Sequence, residues 1–284
     1  MSTLQAPMPL ADVPVTYITP PKGWLDLNFR ELWQFRELAY FFVWRDIKVR
    51  YKQTAIGAAW AILQPLMTML VFTLFFGRLA KMPSGGVPYP IFYLSAVLPW
   101  TYFSTALLNA TNSVVEQRGV ITKVYFPRLI LPLSAVFSGL LDFALGFVIF
   151  LVMMLFYHTA PGGAIFLFPA FLLLAVATAL GAGLWLSALN AIYRDVRYAV
   201  PFVVQFWMFA SPVAYPSSLV PEKWRWLYGL NPMAGVIEGF RWALTGKGQP
   251  PDLMLAVSSA AVVFMLLGGM FFFRKMEATV ADVV

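Results

Sequence analysis

The run LILPLSAVFSGLLDFALGFVIFLVMMLFY, residues 129–157, decides the fold. It carries one charge, Asp142, and exceeds the roughly 20 apolar residues that a helix needs to cross a bilayer core. From Phe147 to Phe156 apolar and polar residues do not alternate, so the run does not read as a strand of a membrane barrel. Five further stretches read the same way, at 57–80, 91–115, 164–193, 198–215 and 253–273. With 60% hydrophobic and 12% charged residues in 284, the chain has more apolar surface than a water-soluble domain could bury. It is an all-α integral membrane protein with six expected transmembrane helices.

Orientation follows from the basic residues, which concentrate in loops that stay in the cytoplasm. With both ends inside, 14 of the 20 Lys and Arg fall on the inner side, among them Arg36, Arg118, Lys123, Arg128, Arg194 and Arg274. The net charge of +7 is therefore assigned to the membrane, not to nucleic acid. Residues 1–27, with Pro7, Pro9, Pro14, Pro20 and Pro21, lack the apolar core of a signal peptide and read as a flexible cytoplasmic tail. The remainder, 28–284, reads as one transmembrane domain. Without cysteine, and with His158 alone in an outer turn, the sequence offers no disulfide, thiolate or His–Cys metal chemistry.

Residues 28–52 have a helical pattern in Phe35, Leu38, Ala39, Phe42 and Val43, and Asn28 followed by Glu31 is placed like a capping box. Arg45, Asp46, Lys48, Arg50 and Lys52 would be costly inside hydrocarbon, which predicts an amphipathic helix at the interface over the inner half of a long first span. The loop 116–128 is basic and compact; docking of a partner and plain anchoring both fit it. Segment 216–252 is too long for a turn and too broken to span. Pro221-Glu222 opens one short helix that Gly229 ends; Asn231-Pro232 opens a second, to Leu244, ended by Gly246 and Gly248. Its apolar set, including Trp224, Trp226, Tyr228, Phe240 and Trp242, favours a re-entrant hairpin over an outer interfacial cap.

No phosphate-cradling loop occurs: Gly246-Lys247-Gly248 lacks the upstream glycine and the hydroxyl of a P-loop. The spans hold one central acid, Asp142, thin machinery for coupling to an ion gradient; pairing with a neighbouring helix and gating both fit it. Trp60, Gln64, Trp100, Tyr102, Asn109, Gln205, Trp207 and Tyr215 form a candidate channel lining, since amides bond hydroxyls and aromatic faces stack on sugar rings. Helix–helix bonds and interfacial aromatic belts would use the same residues.

Arg45-Asp46-Ile47-Lys48-Val49-Arg50-Tyr51-Lys52-Gln53-Thr54, then Gly57, Trp60, Gln64-Pro65 and Leu98-Pro99-Trp100, occur in this order ahead of Lys123-Val124-Tyr125-Phe126-Pro127. Arg194-Asp195-Val196, Ser211-Pro212-Val213 and Leu230-Asn231-Pro232 follow. Together they resemble the type-two ABC-transporter permeases that export polysaccharides across bacterial inner membranes, over nearly the whole chain. The resemblance implies a homodimer in the inner membrane, two copies of a cytoplasmic ATP-binding subunit that hold ATP and Mg, and no cofactor or catalysis in this chain. It implies an interfacial helix at 28–52, and a coupling loop with Glu116, Arg118, Lys123, Tyr125, Phe126 and Pro127. An outer re-entrant gate with Trp224, Tyr228, Asn231 and Pro232 completes the frame. The cargo would be a lipid-linked glycan, O-antigen first, with capsule, teichoic acid or a small lipid or drug as alternatives; Arg45, Lys48, Arg50 and Lys52 would first meet its head group. Two other classes are a membrane-embedded transferase, for which His158 and Glu222 are the outer candidates, and an ion-coupled carrier.

Overall fold

The computed structural model describes residues 29–52, 59–248, 250 and 252–283, and among these it contains helices, turns and coil without a strand. Asn28, Gln53, Thr54, Gly57 and the proline-rich tail lie outside the described residues. Five stretches are long and apolar enough to cross a membrane: Ile62–Leu79, Tyr89–Glu116, Ile130–Phe156, Ile165–Ile192 and Leu253–Glu277. They make the chain a multi-pass membrane protein.

Helix α1 (Phe29–Gln34) and α2 (Arg36–Lys52) precede the first span, with a turn at Phe35 that still donates to Glu31 O at 3.2 Å. Helix α3 (Ala59–Phe72) continues as a π-helix, Thr73–Leu79, whose wider turns close with Ala80 N–H donating to Phe75 O at 2.8 Å. Helix α4 (Tyr89–Glu116), with Pro90 in its first turn, is the most enclosed of the long helices. A short α5 (Arg118–Ile121) leads to the third span, which divides at Gly139 into α6 (Ile130–Ser138) and α7 (Leu140–Phe156). The uninterrupted helix expected over 129–157 is thus two helices in one span.

Helix α8 (Phe168–Ile192) crosses back, and α9 (Val196–Phe209) follows. Fourteen residues of helix rise about 21 Å, against a hydrocarbon core of about 30 Å, so α9 is shorter than the span expected at 198–215. The reason is local: Ser211 precedes Pro212 and is steered away from helical backbone, and the chain turns at 210–213 instead. Two short helices then form between the sequence signals that predict them. Helix α10 (Glu222–Tyr228) starts after Pro221 and stops at Gly229. Helix α11 (Pro232–Thr245) starts under an Asn231 cap, whose side chain accepts from Met233 N–H at 3.1 Å, and stops at Gly246 with φ +66°. Helix α12 (Leu253–Val283) ends the described chain.

Two cores hold these helices. The larger is built on α4, with Phe92, Tyr93, Trp100, Phe103 and Leu107 packed against α7, α8, α9 and α11. The smaller gathers Phe42, Val114, Phe126, Ile130, Leu131, Leu184, Ala188 and Phe273 at one end of the bundle. This second core joins α2 to α12, so both described ends of the chain meet on the same side. Helix α2 has apolar residues on two sides: Phe42 is buried in the core, while Tyr40, Phe41 and Trp44 are exposed, as is Trp33 of α1.

Helices α8 and α12 approach through glycines. A Cβ on Gly181 would lie 2.8 Å from Leu266 N, and one on Gly269 would lie 2.6 Å from Gly181 O. Beside them Trp185 donates to Met265 O at 3.2 Å and stacks on Phe272 with centroids 4.5 Å apart. In lipid, close backbone approach of this kind replaces the hydrophobic driving force that water would supply. Gly181→Leu is expected to separate α8 from α12 and to destabilise the detergent-solubilised protein by about 1–3 kcal/mol, as overpacking does. A thermal melt of the purified variant followed by size-exclusion chromatography measures this; an unchanged midpoint refutes the packing assignment.

Candidate functional site

The end of the bundle that carries the smaller core also carries most of the basic residues singled out in the sequence. Loop 116–128 hangs from it. Phe126 is 4% exposed, its ring 5.7 Å from that of Phe42, and Pro127 is buried beside it. Val124 and Tyr125 are more than half exposed, and Lys123 is exposed with them. The chain alternates here between anchors and presented side chains: two residues hold the loop down and three project from it. Tyr125 donates to Glu31 Oε1 of α1 at 3.1 Å. Burial first, and then the Glu31 carboxylate, push its phenol above the usual range, which keeps it a proton donor.

Arg45 of α2 reaches across to the loop. Its Nη1 donates to Gln117 Oε1 at 2.8 Å, its Nη2 to Asp46 Oδ1 at 2.7 Å, and its guanidinium lies 4.7 Å from the centre of the Phe42 ring. Lys48 lies over Trp44 at 5.3 Å, and Lys52 is exposed. Arg50 and Tyr51 both donate to the carboxylate of Asp142, at the start of α7. Burial, and next the hydrogen bond to Asp142, raise the Tyr51 phenol to about 12. Of the four basic residues expected to meet a head group, two are thus engaged in ion pairs within the chain. Lys48 and Lys52 remain turned outward.

Between α2, α4 and α6 lies a cavity of about 410 Å³. Arg45, Arg50, Asn109, Ser113, Glu116 and Gln117 are among its lining, so charge of both signs and several neutral donors face one space. Asn109 is the candidate lining residue that this cavity includes. Arg118 lies beside it in α5, half-buried.

The other candidate lining residues divide. Trp60 and Gln64 are exposed on α3, and Gln205 on α9. Trp100 and Tyr102 lie inside the chain's own core, Tyr102 donating to Val136 O at 3.3 Å. Within the single chain neither faces open space, since an aromatic at membrane depth serves packing equally well and α4 is enclosed on most sides. Trp207 and Tyr215 join the opposite end of the bundle. There Trp207 donates to Asn231 Oδ1 at 2.8 Å, Asn231 Nδ2 donates to Ala210 O and Ser211 Oγ, both at 3.0 Å, and the hydroxyls of Tyr215 and Tyr228 are 3.1 Å apart. Asn231 therefore caps α11 and ties it to the turn that ends α9. Pro232 is buried in the first turn of α11, whereas Trp224 of α10 is half exposed.

One pair in this region was not singled out in the sequence. Glu238 and Arg241, one helical turn apart in α11, form a buried ion pair at 2.8 Å. Arg241 also donates to Pro212 O at 2.8 Å and lies 3.8 Å over the Phe92 ring, while Glu238 accepts from Ser217 N–H at 2.8 Å. The signal was present: opposite charges three residues apart in an otherwise apolar helix mark an internal pair.

Asp142, the acid of the third span, is held from α2 by Arg50 and Tyr51. Removing either member leaves a partly buried charge without its partner. Asp142→Ala and Arg50→Ala are each expected to lower stability, with a coupling of about 0.5–1 kcal/mol in the double-mutant cycle. The swap Arg50→Asp with Asp142→Arg should recover part of the loss in a detergent melt. Strict additivity of the two alanine variants would argue against the pair.

Residues 37–245 match the ABC-2 type transporter family. Over 241 residues the chain is 32% identical to the O-antigen export system permease protein RfbA of Myxococcus xanthus, covering 84% of this chain and 91% of that protein. It is 25% identical over 241 residues to the protein of the same name from Klebsiella pneumoniae, covering 84% and 92%. To the polysialic acid transport protein KpsM of Escherichia coli it is 24% identical over 208 residues, 70% of this chain and 78% of the other. A match spanning both the loop at one end and the capped helices at the other covers the parts that the geometry singles out, and the chain belongs to the ABC-2 type transporter family.

Proposed function

We propose that this chain is the permease subunit of an ATP-driven exporter that carries a lipid-linked polysaccharide, O-antigen first, across the bacterial inner membrane. The names of the relatives from Myxococcus and Klebsiella, O-antigen export permeases, support that cargo. A capsule-type polysaccharide is the second reading, favoured by the similarity to the polysialic acid transport protein. The observation that carries the reading is the loop 116–128, which presents Lys123, Val124 and Tyr125 while Phe126 and Pro127 are fixed beneath them. This is the form a docking surface takes when a partner must push on it without pulling it loose.

The chain hydrolyses nothing; ATP and Mg belong to a cytoplasmic ATP-binding subunit, one on each half of a homodimer. Six crossings, with α9 as the fifth, agree with both described ends lying on one side of the bundle, and the excess of Lys and Arg on that side makes it the cytoplasm. On this reading residues 1–27 are a tail, 28–52 an interfacial helix, and 28–284 one transmembrane domain with a re-entrant segment at 216–252. Exposed glutamines are costly against lipid, which supports a polar path between the two copies past Gln64 and Gln205, with Trp60 as a stacking face. Lys48 and Lys52, beside the cavity that Asn109 lines, would receive the head group.

Nucleotide-driven closure of the two ATP-binding subunits would move each loop, and α4 and α6 with it, because those helices continue directly from the loop's two ends. In proteoliposomes holding both subunits, ATP is expected to drive export of lipid-linked O-antigen. Val124→Asp together with Tyr125→Ala should weaken association with the ATP-binding subunit by about tenfold or more, the effect of losing roughly 1.4 kcal/mol, with insertion intact. Transport by the permease alone under a proton or sodium gradient would overturn the assignment.

A further inference from the structure

Helix α12 has 31 residues, about 46 Å of helix, and therefore outreaches a hydrocarbon core of about 30 Å. Its last fully buried residue in the smaller core is Phe273, and Met276 packs against that core among Arg274, Lys275 and Glu277. There Glu277 meets the end of the loop. Its Oε1 accepts from the backbone N–H of Arg128 at 3.1 Å, and its own backbone carbonyl accepts from Arg128 Nη1 at 2.6 Å. Its Oε2 accepts from Arg274 at 2.8 Å, which fixes the carboxylate in place. Arg128 is thus gripped by both its backbone and its side chain, 149 residues away in sequence. Tyr125 feels the charges of Glu277 and Arg274, so the presented part of the loop lies within reach of the same cluster.

Arg128 stands two residues before the first residue of α6, Ile130, and next to buried Pro127. The chain itself links the loop to α4 on one side and α6 on the other. No covalent path joins it to α12 except through most of the molecule. A charge-assisted hydrogen bond to a backbone N–H is strong and directional, and a second bond from the same arginine removes the freedom to swivel. We propose that Glu277 is a positioning residue for energy coupling: it makes loop 116–128 and the inner end of α12 one moving part, delivering the loop's displacement to α12 and, through the close glycine contacts, to α8. This rests on the reading of the loop as the site where the ATP-binding subunit docks.

The chain has no cysteine, so spin labels can be placed freely. Gly119→Cys suits the loop, since a Cβ there meets nothing within 4 Å, and Lys275→Cys suits the exposed side of α12. In the full complex with its ATP-binding subunit, electron–electron distance measurements are expected to give the same separation in the nucleotide-free and ATP-trapped states. With Glu277→Ala added, the separation should change on ATP trapping and the export per ATP hydrolysed should fall by at least about fivefold. Glu277→Gln keeps an acceptor oxygen for the Arg128 N–H and should restore most of both. A nucleotide-dependent separation in the parent pair, or unchanged coupling in Glu277→Ala, overturns the inference. Co-purification of the ATP-binding subunit separates this failure from that of the docking reading: a loop that is not the docking site leaves association insensitive to Val124→Asp with Tyr125→Ala.

Discussion

Where water cannot reach a charge, each ionised group must find its partner inside the protein. The Glu238–Arg241 pair meets this constraint most completely. Arg241, 1% exposed, is shared among a carboxylate, the Pro212 carbonyl and the Phe92 ring, and Glu238 also holds the backbone at Ser217. Three separate parts of the chain, α11, the turn after α9 and the first part of α4, are thereby fixed to one another. Asn231 and Ser258 add neutral bonds to the same region: the Ser258 hydroxyl donates to Gly229 O at 2.8 Å and accepts from Gly235 N–H at 3.2 Å. The short helices at this end owe their order to these bonds, since seven or fourteen residues have little helical stability of their own.

The opposite end is built from weaker material. Its ion pairs, Arg45–Asp46, Arg50–Asp142 and Arg274–Glu277, are partly exposed. Pairs of that kind contribute about 0–1 kcal/mol where water reaches them, whereas breaking a buried pair costs about 3–5 kcal/mol. The molecule therefore has a stiff end and a compliant end. Compliance lies where a loop presents side chains to solvent, and stiffness where the capped helices pack.

Much of this was legible in the residues. The bounds of α10 and α11 follow from Pro221, Gly229, Asn231-Pro232 and Gly246, because caps and breakers act locally and need no tertiary context. The long spans are legible for a similar reason, apolar length being a property of the run itself. What stayed hidden depends on partners distant in sequence. Asp142 could be noted as a lone acid, but its bond to Arg50, 92 residues earlier, has no local signature. Trp100 and Tyr102 carry the same chemistry in a core as on a path, and apolar residues on all sides of α4 give periodicity nothing to distinguish. The break at Gly139 depends on what packs against that residue, whereas the short α9 follows from Pro212, a local breaker inside an otherwise apolar run.

Pairing also changes the argument that keeps α2 at the interface. Five charged residues within eight positions seem to forbid contact with hydrocarbon, and that reasoning holds for unpaired charges. Arg45, Asp46 and Arg50 are paired, and α2 packs along α6 until Arg50 and Tyr51 reach Asp142 at the start of α7. Each pair reduces the cost of immersion, so the helix can follow the bundle at its C-terminal end while Tyr40 and Trp44 remain exposed. The charges on this helix then do two jobs: the paired ones bind α2 to the bundle, and the exposed lysines, Lys48 and Lys52, leave its surface basic. Helix α2 is fastened at its C-terminal end to Asp142 and at its middle to the loop, through Phe42 on Phe126 and Arg45 on Gln117. The loop is therefore joined to α7 through α2 as well as through the backbone of α6.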